Sequence, residues 1–300
     1  MKKYLYHFLK WSRSLFLRPV QTVKWFKCDL NKDISSKKYS SNNKNVWCAG
    51  LPKSGTTLIE KIMDKLPYVS LNNSILRVYY PGKLDHDHGV SDVMFENLPE
   101  NKFTFLKTHT HYDIKYEQII KSHNLKIIIS LRDLRDMLIS RYFHIMNDKS
   151  HWLNNEIKNL DFTEGFIHSI EARHNSRSSN VLTYYYNWIL NWHHEAKKKN
   201  YLILWYEDYL NDPKSYIKKI INYLDFNDLS VGEIQAKLNT NKDLFLKESL
   251  KKYGRSRETF RKGKKDEWKK YFNEEINTFF EKNIPDSIDK ITYEKLNKFE

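Results

Sequence analysis

A loop in the first quarter of the chain carries residue types that could bind a phosphate group. The string CAGLPKSGTTL at residues 48–58 places Gly50 and Gly55 at the spacing of the Walker A motif. Thr56 stands where nucleoside triphosphatases carry a lysine, and Lys53 lies inside the loop instead. This arrangement argues against ordinary ATP or GTP hydrolysis and favours a different phosphorylated nucleotide. The alternative is an ordinary strand–helix connection that contains Gly and Thr.

Two later segments place chemistry-bearing side chains directly after short apolar runs. Lys107-Thr108-His109 closes one of them; a histidine can act as a base near neutral pH, and a neighbouring lysine can stabilise developing oxygen charge. Arg132 follows another run, and Ser140 lies eight residues later, about two helical turns further on. A guanidinium and a hydroxyl on one side of a helix start suit a phosphate group. The alternatives are an ordinary surface histidine and an Arg–Asp ion-pair cluster that caps the helix.

Two segments nearer the C-terminus also carry candidate ligand-binding residues. Tyr206 follows the apolar run YLILW and precedes two acids, which is also typical of a core tyrosine before a helix start. The string RKGKKDEW at residues 261–268 is rich in cations. Such a run alone is typical of a solvated or nucleic-acid-binding surface. The isolated Gly263 and the Trp268 within it favour a more specific anion-binding loop.

Short apolar strands alternate with helical patterns around these segments. This alternation predicts an α/β fold: a central parallel sheet of four to five strands, helices on both faces and a helical C-terminal part. The predicted strands are 46–49, 103–107, 126–131 and 201–206. The predicted helices are 57–66, 112–123, 133–147, 161–173, 180–198, 213–224, 229–238, 268–282 and 287–298. Residues 1–45 are predicted to form a basic arm and polar linker, and residues 46–300 a single domain.

Composition excludes several classes of protein. The 300 residues are 40% hydrophobic and 29% charged, so the chain can bury a sizeable core and is not disordered throughout. Two cysteines are too few for a disulfide-built fold or a cysteine-rich zinc site. No run approaches the roughly 20 apolar residues of a membrane-spanning helix, and the N-terminus lacks the apolar core of a secretory signal. We therefore expect a cytoplasmic protein without a metal centre.

The net charge of +14 is concentrated in two segments. Residues 1–28 hold seven basic and no acidic residues, and residues 247–270 hold eleven basic and four acidic ones, so each segment carries +7. Nucleic-acid-binding proteins more often show basic stripes along folded elements, so no nucleic-acid partner is predicted. This charge distribution is typical of two local anion-binding sites, or of one such site and a membrane-facing arm. For residues 1–28, attachment to anionic lipid and packing against the domain both stay open.

Four of these segments, in this order, resemble the sulfotransferases that use 3′-phosphoadenosine 5′-phosphosulfate (PAPS). PKSGTT resembles their 5′-phosphosulfate loop, and Lys107-Thr108-His109 resembles the Lys-Thr-His of the cytosolic branch. Arg132 with Ser140, and the string at 261–268, resemble their two 3′-phosphate elements. The resemblance covers roughly three-quarters of the chain, from residue 46 to about 268. The sequence departs from the family where Leu58 replaces an adenine-stacking Trp and Asp266 replaces a glycine.

The resemblance implies a P-loop-like fold, PAPS as donor, 3′-phosphoadenosine 5′-phosphate (PAP) as product, and no metal. It implies that His109 takes the acceptor's proton while Lys53 and Lys107 stabilise charge on the transferring group. It implies a donor site composed of Lys53, Ser54, Gly55, Thr56, Thr57, Arg132, Ser140, Tyr206, Arg261, Lys262 and Gly263.

Acceptor identity stays open in the sequence. A hydroxyl or amine of a small molecule, a lipid or a glycan would each suit the chemistry, and the pocket is expected from residues 73–102 and 151–198. Two other functions are the alternatives. A P-loop kinase would need a lysine at position 56, where Thr56 stands. A basic nucleic-acid-binding protein would need its charge along the folded elements.

Overall fold

The computed structural model describes residues 45–66, 69–71, 90, 95, 103–149, 151–172, 180–226, 228–238, 263–284 and 291–298. Five strands in that part of the chain form one sheet, in the order β2-β3-β1-β4-β5. Their bounds are β1 Asn45–Gly50, β2 Val69–Leu71, β3 Phe103–Thr108, β4 Leu125–Leu131 and β5 Leu202–Trp205. Strand β3 pairs in parallel with both β1 and β2, and its register sets Cys48 opposite Lys107.

Helices alternate with these strands along the described chain. They are α1 Thr56–Lys65, α2 Tyr116–Ser122, α3 Leu134–Asn147, α4 Asn154–Ile157, α5 Phe162–Glu171, α6 Val181–Lys199, α7 Tyr206–Asn211, α8 Pro213–Tyr223, α9 Val231–Lys237, α10 Glu274–Asn283 and α11 Tyr293–Lys298. A short 3-10 helix spans Glu267–Lys270. The predicted α/β class and parallel central sheet are confirmed.

The strands that carry the site form because they are apolar on both faces. Strand β1 is buried at every residue after Asn45, and β4 at every residue except Lys126. Strands in the middle of a parallel sheet are covered on both sides, so they read as continuous apolar runs rather than as alternating ones. Both strands end where the chain turns toward a helix, which places the loops at 51–55 and 132–133 directly after them.

Side-chain caps fix where several helices begin. Asp133 accepts the Arg135 backbone N–H at the start of α3, and Asn273 accepts that of Ile276 at the start of α10. Such caps satisfy backbone donors that a helix leaves unpaired in its first turn. Because Asn273 starts a new helix, the single helix predicted over 268–282 is wrong: a 3-10 turn precedes α10, and the two are separate.

The structure differs from the predicted bounds at several more places. Tyr206 begins α7 rather than ending a strand, since β5 stops at Trp205. Strand β2 and the four-residue α4 were not predicted. The first part of the helix predicted at 287–298 lies outside the described residues, and α11 begins at Tyr293.

Packing divides the chain into two compact units that alternate along the sequence. The first is drawn from Met1–Gly50, Thr56–Ile128 and Lys214–Arg257, and the second from Leu51–Gly55, Ile129–Pro213 and Glu258–Glu300. The first buries Trp47 and Phe105, and the second buries the tryptophans of α6 and Phe166. The predicted boundary between an arm at 1–45 and one domain at 46–300 stays a prediction.

Residues 1–44 of the predicted arm and linker lie outside the described residues, so the packing or membrane-facing role of the arm stays a prediction; Asn45 begins β1. None of the helices that the structure describes is both long enough and apolar enough to cross a membrane.

Candidate functional site

The loop after β1 has a strained backbone that one buried serine holds in place. Lys53 adopts a left-handed conformation with φ +70°, and Gly55 has φ +92°. The Ser54 hydroxyl donates to the Leu51 carbonyl at 2.7 Å and lies 3.1 Å from the Ser130 hydroxyl. The Ser130 hydroxyl donates in turn to the Ser54 carbonyl at 2.9 Å. The loop is therefore fixed to the buried end of β4, and Ser54 itself is fully buried.

Gly55 is needed for close packing as well as for its dihedral angle. A Cβ atom at this position would lie 2.7 Å from Cδ2 of the Tyr206 ring, closer than real side chains approach. Tyr206 is buried at the start of α7, and burial raises the pKa of its hydroxyl. The loop and the β5–α7 turn therefore meet with no room for a side chain between them.

Arg132 joins three of the predicted segments. Its Nη1 donates to the Lys53 carbonyl at 3.2 Å, and its Nη2 donates to the Lys264 carbonyl at 3.1 Å. Its guanidinium also lies over the Tyr206 ring, 4.8 Å from the ring centroid, a cation–π distance. Gly263, next to Lys264, has φ +64°, in the left-handed region that favours glycine. The loop at 51–55, the end of β4, the β5–α7 turn and the lysine-rich segment at 261–268 thus meet at one buried cation. We call Arg132, Lys53, Lys264 and Tyr206 the Arg132 cluster.

A second set of contacts fastens the lysine-rich segment to α3. The Trp268 backbone N–H donates to Asp136 Oδ1 at 2.9 Å. Burial raises the pKa of the Asp136 carboxyl, while Arg132, 3.9 Å away, opposes that shift. The Arg135 guanidinium lies 3.7 Å from the Trp268 ring centroid and donates to both carboxylate oxygens of Asp133, at 3.1 and 2.7 Å.

The Arg–Asp ion-pair cluster considered from the sequence forms at the start of α3. Arg135 pairs with Asp133, the cap of α3, and Arg132 Nη2 lies 3.9 Å from Asp136 Oδ2. Asp136, in the first turn of α3, is also the acceptor for the Trp268 backbone N–H.

Glu207 was not predicted as part of this cluster. Its Oε1 accepts the Asp133 backbone N–H at 3.1 Å, so it joins the turn that follows Arg132 to the start of α7. Burial raises the pKa of its carboxyl to about 7, against the opposing charge of Arg132. The sequence offered only an acid after Tyr206, which is typical of any helix start.

Helix α3 carries Ser140 and, one turn later, His144. Ser140 is buried, and its predicted contact with a phosphate stays a prediction. Burial lowers the pKa of the His144 imidazole to about 4, helped by the charge of Lys53. Its Nδ1 is buried and has no hydrogen-bond partner within the described ranges. A neutral imidazole near Lys53 is a feature that the sequence analysis missed.

The first unit holds the predicted base. His109 Nδ1 lies 2.5 Å from the Gly50 carbonyl oxygen, at the end of β1. A carbonyl oxygen can only accept, so Nδ1 carries the proton in this contact. In the neutral ring the lone pair is then on Nε2, which is the nitrogen suited to act as a base.

Lys107 is held by a buried carboxylate. Its ammonium forms an ion pair with Glu60 of α1, and both side chains are largely buried. The Cys48 thiol lies near this pair, and burial raises its pKa to about 12, so it stays protonated at neutral pH. Thr56 and Thr57 form the first turn of α1, the helix that carries Glu60. Glu60 was not predicted as a partner of Lys107.

Comparison with known proteins decides the family. The family model for the sulfotransferase domain matches residues 43–299. This chain belongs to the sulfotransferase family. Flavonol 3-sulfotransferase of Flaveria bidentis is 24% identical to it over 288 residues, which cover 88% of this chain and 85% of that protein. Sulfotransferase 6B1 of Mus musculus is 24% identical over 270 residues, which cover 85% and 82%.

Known structures share the fold of this sulfotransferase. Mouse sulfotransferase SULT7A1 complexed with PAP has a TM-score of 0.58 at 16% identity and covers 91% of this chain and 95% of its own. Retinol dehydratase in a complex with retinol and PAP has a TM-score of 0.51 at 21% identity, with 87% and 86% covered. The predicted P-loop-like fold and the predicted enzyme class are confirmed.

Part of the predicted donor site of this sulfotransferase cannot be placed. Arg261 and Lys262 lie outside the described residues, whereas Gly263 lies beside Lys264 at the Arg132 cluster. Within the described ranges, no three His, Cys, Asp or Glu side chains form a group that could hold a metal ion.

Proposed function

We propose that this sulfotransferase moves the sulfuryl group of PAPS to an acceptor hydroxyl or amine and releases PAP. The Arg132 cluster is the observation that carries the proposal, because one buried guanidinium meets three of the segments assigned to the donor. The solved relatives complexed with PAP support this choice of donor. No metal is assigned a role in the transfer.

The donor's phosphates are assigned to two groups of residues. The loop and the first turn of α1 bind the 5′-phosphosulfate through backbone N–H groups and hydroxyls, as helix N-termini commonly bind phosphate. The 3′-phosphate is assigned to Arg132 and to the other residues of the second group. The residues in the first group are Lys53, Ser54, Gly55, Thr56 and Thr57. Those in the second are Arg132, Ser140, Arg261, Lys262 and Gly263, with Tyr206 near the adenine.

Transfer requires a base and a cation. His109 Nε2 takes the proton of the acceptor while the acceptor oxygen or nitrogen forms a bond to sulfur. The bond between sulfur and the oxygen that bridges it to the 5′-phosphate breaks, and that oxygen leaves with PAP. Lys53 and Lys107 stabilise the charge that develops on the oxygens. Glu60 supports the proposal for Lys107 because its carboxylate pairs with the ammonium and holds it in place.

The acceptor is proposed to be a small molecule with a hydroxyl or an amine. The names of two relatives support a hydroxyl and an amine as acceptor groups. One is the flavonol 3-sulfotransferase of Flaveria bidentis. The other is an amine sulfotransferase of Oryctolagus cuniculus, which is 26% identical to this chain over 201 residues. A screen of small-molecule hydroxyl and amine acceptors for sulfated product tests this, and a lipid or glycan included in the screen would show the alternative by becoming sulfated.

Calorimetry with PAP, AMP and ATP tests the donor assignment without any mutation. PAP and AMP differ only in the 3′-phosphate, and each charge-assisted hydrogen bond is worth about 1.5–3 kcal/mol. We therefore expect PAP to bind at least tenfold more tightly than AMP for each such contact. Equal affinities for PAP and AMP would overturn the 3′-phosphate assignment, and tighter binding of ATP than of PAP would favour a kinase-like enzyme.

A further inference from the structure

Glu207 occupies an unusual place in the second unit. Its side chain lies in the first turn of α7, and the residue is only 3% exposed. Oε1 accepts the Asp133 backbone N–H at 3.1 Å, whereas Oε2 is buried with no hydrogen-bond partner in the part of the chain that the structure describes. Buried polar atoms are nearly always paired, so an unpaired carboxylate oxygen calls for an explanation.

The contacts of Glu207 link it to the turn that carries Arg132. Asp133 directly follows Arg132 and caps α3, so the Glu207–Asp133 hydrogen bond fixes the backbone of that turn. Tyr206 directly precedes Glu207, and its ring lies under the Arg132 guanidinium. The carboxyl group therefore holds together the two turns that position Arg132.

Two opposing effects act on the pKa of the Glu207 carboxyl. Burial raises the pKa of the carboxyl to about 7, and Arg132 opposes that rise. At neutral pH the group is therefore partly protonated, and a small change in nearby charge alters its protonation. An anion beside Arg132 would offset the positive charge that favours the carboxylate form of Glu207, and it would therefore favour the protonated form. Among the described residues, the titratable groups that interact with Glu207 include Arg132, Asp133, Tyr206 and Tyr293.

We propose that Glu207 is a positioning residue of the nucleotide site, and that its carboxyl group takes up a proton when an anionic nucleotide binds beside Arg132. The inference rests on the proposed function, which assigns the 3′-phosphate to Arg132. The proton comes from the buffer and bonds to a carboxylate oxygen, and no other bond is made or broken. The nucleotide and the proton then bind together, so rising pH weakens nucleotide binding.

Proton-linked calorimetry tests this inference with PAP as the ligand. Titrations at pH 8 in buffers of different ionisation enthalpy give the number of protons taken up on binding. Phosphate groups with a second pKa near 6 are already ionised at pH 8, so they release almost no protons when PAP binds. A carboxyl with a pKa of about 7 is about one-tenth protonated there. We expect the wild type to take up at least half a proton at pH 8 and clearly less at pH 6, where the carboxyl is already protonated.

Two variants of Glu207 separate the effect of proton uptake from the effect of the hydrogen bond to Asp133. Glu207→Gln can still accept the Asp133 N–H, so it should bind PAP without the proton uptake. Glu207→Ala loses that acceptor and should bind PAP more weakly, by about tenfold, with glutamine restoring most of the loss. Glu281→Gln, at an exposed position on α10, is the matched control and should behave as the wild type.

The outcomes distinguish this inference from the function on which it rests. Failure of the folded wild type to bind PAP would overturn the proposed function. PAP binding with no proton uptake at pH 8, or with equal uptake in wild type and Glu207→Gln, would overturn the inference and leave the function standing. Should Glu207→Gln fail to fold, the pH dependence of uptake by the wild type alone still decides the question.

Discussion

Replacing Gly55 with alanine should destabilise the loop for two separate reasons. The backbone at Gly55 has φ +92°, a conformation that residues with a Cβ atom rarely adopt. The new Cβ would also lie 2.7 Å from the Tyr206 ring, which is packed under Arg132 and has little room to withdraw. Both effects act in the second unit, where the loop meets the β5–α7 turn.

The two effects have comparable magnitudes. A left-handed conformation costs a residue other than glycine about 1–2 kcal/mol. Overpacking a tightly filled site costs about 1–3 kcal/mol. The free energy of unfolding should therefore fall by about 2–5 kcal/mol in Gly55→Ala, and PAP affinity should fall with it because the loop backbone must move.

Urea denaturation of a double-mutant cycle separates these terms. Tyr206→Ala removes the overlap but not the dihedral cost, so Gly55→Ala should be less damaging in that background by about 1–3 kcal/mol. Gly232→Ala is the matched control, because the added Cβ would meet only Ser230 Oγ, at 3.8 Å, and alanine favours a helix. If Gly55→Ala is no more destabilising than Gly232→Ala, or is unaffected by Tyr206→Ala, the packing argument is refuted.

Two further predictions concern the histidines. His109→Ala should lower turnover by about 10²- to 10⁴-fold while PAP affinity and melting temperature stay near wild type; near-normal turnover from folded protein would remove His109 from the mechanism. For His144, the pKa falls from 6.5 unfolded to about 4 folded, so the unfolded state binds more protons between these values. The wild type should therefore lose about 3 kcal/mol of stability relative to His144→Phe as pH falls from 6.5 to 4, and parallel stability curves would contradict this.

Apolar runs were sufficient to predict most of the fold. Strands β1 and β4 are continuous buried runs, and such runs are hard to mistake when charged residues flank them. Strand β2 has only three residues, too few for a pattern to emerge. The start of α7 at Tyr206 was missed because the apolar run continues through Trp205 and Tyr206, so periodicity alone could not show where the strand ends.

Individual motifs of the site could be predicted from the sequence, but the contacts between them could not. A backbone carbonyl accepts a hydrogen bond whatever its side chain, so nothing in the sequence indicates that Arg132 contacts the carbonyls of Lys53 and Lys264. Glu207 and His144 were missed for a related reason. Their shifted pKa values come from burial, which depends on segments far away in the sequence.

The contacts of Arg132 explain why arginine suits this position better than lysine. Two of its five N–H groups hold carbonyls on different segments, and its Nε–H is buried with no hydrogen-bond partner in the described ranges. A lysine ammonium is a compact charge on a flexible chain, so it could not reach both carbonyls and cover the Tyr206 ring at once. The guanidinium thus holds the loop and the lysine-rich segment together. Because these contacts fix the donors in position, binding an anion there costs less ordering entropy.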